Sequence, residues 1–131
     1  MKAFDRVQRP LFIEKFNRMG IEPYLALLID NWLTNRMYEV HYRNVQSSQY
    51  EQINGIPQGS SNISVLLWIL YIYDAPLNMN NSNVYVDDTT QWEQGTSKKE
   101  VAEKLRESSS ELYKWCKVNK IKLQWMKTFL L

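Results

Sequence analysis

Two adjacent acids, Asp87 and Asp88, stand between Asn83-Val84-Tyr85-Val86 and Thr89-Thr90-Gln91-Trp92. Both flanks are rich in β-branched and aromatic residues, so each reads as a strand and the pair as a hairpin with the carboxylates near its tip. Two neighbouring carboxylates repel each other, and a strand end does little to compensate them. A divalent cation does. Mg²⁺ takes hard oxygen ligands, commonly one or two carboxylates together with substrate phosphates. An exposed turn, where Asp is common, is the structural alternative.

The rest of the chain supplies helices and one more hairpin. Pro10 suits the first turn of a helix, Phe12, Ile13, Phe16 and Met19 repeat at helical spacing, and Gly20 suits the C-terminal cap. A second helix opens at Pro23, with Leu25, Leu28, Ile29, Trp32 and Leu33 as its expected apolar face. Tyr38, Val40 and Tyr42 alternate with Glu39 and His41, the period of a half-buried strand, and Gln49 to Ile53 is expected to pair back across a turn at Asn44–Ser48. Asn54, Gly55, Pro57 and Gly59 mark a loop, and Ile63 to Tyr73 is expected to be a buried helix. Ser97 and Glu100 have capping-box spacing at the start of a long helix, with Val101, Leu105, Leu112 and Cys116 on one face. Ile121 to Trp125 reads as a closing strand. This order predicts an α+β fold, an antiparallel sheet with packed helices.

Composition narrows the function classes. With 131 residues, 44% hydrophobic and 23% charged, the chain fits one globular domain or part of one. The longest apolar run ends at Asp74 and is shorter than the ~20 residues a membrane helix needs, so no membrane partner is expected. Met1 to Arg9 is too polar for a signal peptide. Cys116 is the only cysteine and His41 the only histidine, which argues against a disulfide or structural zinc and for an intracellular setting. The net charge of +2 does not by itself indicate nucleic acid. No acid follows Glu111, however, while Lys114, Lys117, Lys120, Lys122 and Lys127 do, a stretch that could face phosphates or be a solvated edge.

Tyr85-Val86-Asp87-Asp88 resembles the YXDD box of reverse transcriptases. Upstream, Gly55-Ile56-Pro57-Gln58-Gly59-Ser60 resembles their motif B, and Leu70-Tyr71-Ile72-Tyr73-Asp74-Ala75-Pro76 the stretch that follows it in LINE-type enzymes. Lys2-Ala3-Phe4-Asp5-Arg6-Val7 is similar to the second half of motif A, and Trp115-Cys116, Asn119, Leu123, Lys127 and Thr128 to the motif D region. The five stretches occur in the family's order, and the closest likeness is to non-LTR, jockey-like retrotransposons, which usually carry Ala at the place of Val86. Group II intron maturases share some of these motifs, but the spacing around Lys2–Asp5 and Trp115–Lys127 is closer to retrotransposons.

The resemblance implies a partial polymerase palm over residues 1–131 and RNA-directed DNA polymerisation with two Mg²⁺ ions. Asp87 and Asp88 would be catalytic and hold the metal; Lys127 would protonate the leaving pyrophosphate. Phe4 would be the steric gate against the sugar 2′-hydroxyl. Pro57, Gln58 and Gly59, with Tyr85, would line the nucleotide and template. RNA template, DNA primer and deoxynucleotides would be the partners, and the nucleus the setting.

The family's motif A aspartate would fall just ahead of Met1, and upstream fingers, a downstream thumb and the remaining parts of a parent polyprotein are expected to be absent. On that expectation the chain alone is inactive. After Gly59-Ser60 it also carries one residue more than the family pattern, and Val65 stands near a usual proline. The alternatives are a non-catalytic nucleic-acid-binding remnant, using the C-terminal lysines with Trp92, Trp115 and Trp125, or a functionless relic.

Overall fold

The computed structural model describes residues 3–59, 62–77 and 81–123. A 3₁₀ turn, Phe4–Arg6, leads into helix α1, Arg9–Arg18, and α2, Pro23–Leu33. Proline occupies the first turn of both helices, where its missing N–H costs nothing. Gly20 closes α1 at φ +69°, with its N–H on the Asn17 carbonyl.

The next hairpin is broken into two short antiparallel pairs. Strand β1, Met37–Tyr38, pairs with β4, Tyr50–Glu51, and β2, His41–Tyr42, pairs with β3, Val45–Gln46. The chain reverses earlier than expected, with Arg43 at φ +53°, and Val45–Gln46 is strand rather than turn. The expected half-buried strand is a correction too: all four strands are exposed on both faces.

Helix α3, Ile63–Ile72, buries Ser64, Leu67, Trp68 and Tyr71, the i, i+3, i+4, i+7 face. Ile63, Leu66 and Ile69 are exposed, so α3 is half-buried rather than buried all round. Residues 60 and 61, at the start of the stretch that carries one residue more than the motif B pattern, lie outside the described residues. The second hairpin is present but one residue displaced from the expected bounds: β5, Ser82–Tyr85, pairs with β6, Asp88–Gln91, in the register Tyr85 to Asp88 and Val84 to Thr89, so Val86 and Asp87 make the turn and Asp88 opens the second strand. Helix α4, Lys98–Val118, starts at Ser97, whose hydroxyl accepts from the Glu100 N–H at 3.2 Å. Glu100 returns the bond one residue early, to the Thr96 N–H at 2.9 Å. Residues 121–123 are not strand, and the remainder of the expected closing strand lies outside the described residues.

The architecture is α+β: among the described residues, four α-helices with antiparallel two-stranded ribbons. Its core is Val7, Phe12, Phe16, Ile56, Leu67 and Tyr71, with α1 packed on α2 and α3. On α2 the core takes Ala26, Ile29 and Leu33, whereas Leu25, Leu28 and Trp32 are 45%, 52% and 41% exposed. Ile29 and Leu33 are on the expected face; the unbroken apolar run Leu25–Ile29 offered more than one stripe beside them, and packing on α1 took Ala26 in place of Leu25 and Leu28. No helix among the described residues is long and apolar enough to cross a membrane.

Candidate active site

The turn carrying the acids is strained and tied down. Val86 sits at φ +54°, the left-handed region, which a β-branched residue rarely adopts. Such a residue costs roughly 1–3 kcal/mol and persists only when its surroundings hold it. Two things hold Val86. Its side chain packs against the core, and its carbonyl accepts the indole N–H of Trp68 at 2.5 Å. Trp68 comes from the buried face of α3, so the helix fixes the tip of the hairpin.

The acids themselves face solvent. Asp87 and Asp88 are both exposed, and Tyr85, opposite Asp88, is 80% exposed. No hydrogen bond or ion pair among the described residues engages either carboxylate. Two hard-oxygen donors on a braced turn fit a divalent cation. They supply only part of a ligand set, because the described residues contain no cluster of three or more His, Cys, Asp or Glu able to hold a metal.

Trp68 also positions the motif A residues. Its ring lies 5.5 Å from that of Phe4, tilted by 35°. The half-buried Phe4 therefore rests on the same indole that holds Val86. The Gly55–Gly59 loop is bonded to the Phe4 segment by its backbone: Ile56 N–H donates to Phe4 O at 3.0 Å and Gly55 N–H to Val7 O at 2.8 Å. Gly55 is required there. It has φ +89°, and a Cβ would meet Asp5 Cα at 2.9 Å and Phe4 O at 3.0 Å. Beyond it, Gln58 donates from Nε2 to Asp5 Oδ1 at 2.7 Å, and the Pro57 carbonyl accepts from the buried Ser64 hydroxyl of α3. Gly59, at φ +105°, has open space around it.

Phe4, Pro57, Gln58, Tyr85, Asp87 and Asp88 are thus linked through α3 and two loops. Lys127 lies outside the described residues. Sequence reasoning missed Trp68 and Asp5. A tryptophan inside an apolar helix was a usable signal, since a buried indole N–H needs an acceptor. Asp5 had no such signal; its contact with Gln58 spans 53 residues of chain.

It also missed the brace behind the site. Lys15 of α1, 4% exposed, pairs with Asp74 just after α3. Asp74 accepts as well from the Trp115 indole of α4 at 3.1 Å. The Lys15 ammonium lies 5.1 Å from the Tyr71 ring centre and 4.8 Å from that of Trp115. Burial pulls the Lys15 pKa below its ordinary value, and the bond to Asp74 offsets this only in part. Tyr71, next to Trp68 at 6.2 Å between ring centres, donates its hydroxyl to Asn119 O at 2.7 Å. Burial raises its phenol pKa, which keeps it a neutral donor.

A strained acidic turn, an aromatic against its brace and a glycine-dependent loop locked to the same segment thus share one scaffold. The chain belongs to the reverse transcriptase (RNA-dependent DNA polymerase) family, whose pattern it matches over residues 1–131. It is similar to a probable RNA-directed DNA polymerase from transposon BS of Drosophila melanogaster, with 29% identity over 97% of this chain and 15% of that protein. The chain therefore spans a small part of that relative's length. No solved structure gives a significant match.

Proposed function

We propose that this chain carries the acidic turn and nucleotide-facing loops of an RNA-directed DNA polymerase from a non-LTR retrotransposon, acting inside the cell, in the nucleus. The reaction is attack of a primer 3′-hydroxyl on the α-phosphate of a deoxynucleotide, copying an RNA template. The observation that carries the reading is the Trp68 node, which braces the Asp87-Asp88 turn and seats Phe4 at once.

Each residue takes the part that the family resemblance gives it. Asp87 and Asp88 would hold magnesium ions. When bound, such ions neutralise phosphate charge and stabilise the attacking and leaving oxygens. Phe4, fixed on Trp68, offers a flat apolar wall against a sugar 2′-hydroxyl. Gln58, oriented by Asp5, and the open backbone at Gly59 would meet the nucleotide and template, as would the exposed Tyr85 ring. Lys127 would deliver the proton to pyrophosphate. Catalysis of this kind is mostly positioning and charge stabilisation, so a set holding two carboxylates binds a cation but needs a further ligand to turn over.

Titration of the folded chain with magnesium or manganese, followed by NMR, tests this. Shifts confined to residues around Asp87 and Asp88, absent in Asp87→Asn/Asp88→Asn, are expected. A folded chain showing no cation-dependent shifts there would sink the polymerase reading. Magnesium-dependent primer extension by the chain alone would instead refute the need for a further ligand.

A further inference from the structure

The two halves of α4 differ in charge. Residues 98–111 balance Lys98, Lys99, Lys104 and Arg106 against Glu100, Glu103, Glu107 and Glu111. From residue 112 onward there is no acid, while Lys114, Lys117, Lys120 and Lys122 follow, and all four are exposed. The inward side of the same segment is settled differently. Trp115 reaches Asp74, which is already paired with Lys15, and Cys116 and Asn119 are buried.

A second observation concerns Lys120 alone. Helix α4 ends in a Schellman motif: Ile121 N–H bonds Cys116 O at 2.9 Å and Lys120 N–H bonds Lys117 O at 3.3 Å. Lys120 holds the left-handed position at φ +58°, which glycine fills by default. The motif uses only backbone groups, so nothing in the helix end requires lysine. A cation is kept there at a cost to folding.

We propose that Lys114, Lys117, Lys120 and Lys122 form a contact surface for the phosphate backbone of single-stranded RNA, the strand such an enzyme copies. The choice of RNA rests on the polymerase reading above; the surface itself rests on the charge pattern. Lys114 and Lys117, three residues apart, have Cβ atoms about 5–6 Å from one another on a helix, and the exposed Lys120 and Lys122 follow within four residues of its end. The surface joins the acidic turn through Asn119, Tyr71 and Trp68.

The test is fluorescence anisotropy of the full chain with a labelled single-stranded RNA of about 20 nucleotides, longer than the ~4–16 that one small binding fold covers, over a salt series. Lys114→Gln/Lys117→Gln/Lys122→Gln should weaken binding about tenfold or more and flatten the log–log salt slope by about 2, at ~0.7 for each phosphate no longer neutralised. A charge-matched set on the same helix, Lys98→Gln/Lys99→Gln/Arg106→Gln, should change affinity by about twofold or less, since it lies outside that lysine segment. Lys120→Gly separates folding from function: it should raise the thermal midpoint and weaken RNA binding together. Equal losses in both sets, no loss in the first, or tighter binding of the same-sequence duplex DNA would overturn the proposal. Asp87→Asn/Asp88→Asn should retain RNA binding. Failure of the cation titration with lysine-dependent RNA binding intact would strike the polymerase reading and leave this surface standing.

Discussion

Removing the Asp74 carboxylate strands a cation. In Asp74→Ala the Lys15 ammonium, whose side chain is 6% exposed, loses its counter-ion, and the Trp115 indole loses its acceptor. Breaking a buried pair from one side costs about 3–5 kcal/mol. Asp74 is 31% exposed, so water reaches part of the cavity left behind, and the two aromatic faces over Lys15 remain, each worth about 0.5–2 kcal/mol. The expected loss is about 3 kcal/mol, which lowers the midpoint of a chain this size by roughly 10 °C. Thermal and urea unfolding, followed by tryptophan fluorescence, measure it. Lys15→Met/Asp74→Asn removes the buried charge and keeps an acceptor for Trp115, and should unfold within about 1 kcal/mol of the parent, as buried pairs replaced by matched neutral groups do. The sign of the pH dependence follows from burial. With the folded Lys15 pKa below 10.5, the unfolded chain binds that proton more tightly between the two values. Stability therefore rises with pH in the window below 10.5 and loses that slope in Lys15→Met. A loss under about 0.5 kcal/mol in Asp74→Ala, the range of a solvent-screened surface pair, would refute the reasoning.

Other outcomes follow from single contacts. Trp68→Phe keeps the ring beside Phe4 but leaves the Val86 carbonyl without its donor; about 1–2 kcal/mol of stability should go, and faster amide exchange at residues 86–88 should accompany it. Lys104, and after it Thr96, hold the Glu100 carboxyl down at about 2 from an ordinary 4.5. Its contribution is complete above pH 4.5 and is lost as pH falls toward 2, so the first turn of α4 should fray over that window by amide NMR, and Glu100→Gln should not show the transition. Burial pushes the Cys116 thiol up to about 11, so an alkylating reagent at pH 8 should leave the folded chain unmodified and label it only in urea.

Local chemistry made several elements legible. Proline in the first turn of α1 and α2, the Ser97 cap of α4 and the hairpin that carries the acids each rest on a few adjacent residues; the first two stand where expected and the hairpin is displaced by one residue. The acidic pair could be located in the same way, because a turn between two strand-forming runs is a local event. The buried stripe of α2 was legible only in part: Ile29 and Leu33 lie on the expected face, but the unbroken apolar run Leu25–Ile29 left packing on α1 to decide for Ala26 over Leu25 and Leu28. The exposed first hairpin had the alternation of a half-buried strand, yet among the described residues nothing covers either face. What braces the site was beyond the sequence for the same reason. Trp68 reaches Val86 across 18 residues, Gln58 reaches Asp5 across 53, and Lys15 reaches Asp74 across 59. Residue type told which groups could form such bonds; only the packing of α3 against the two loops and α1 brought them within range.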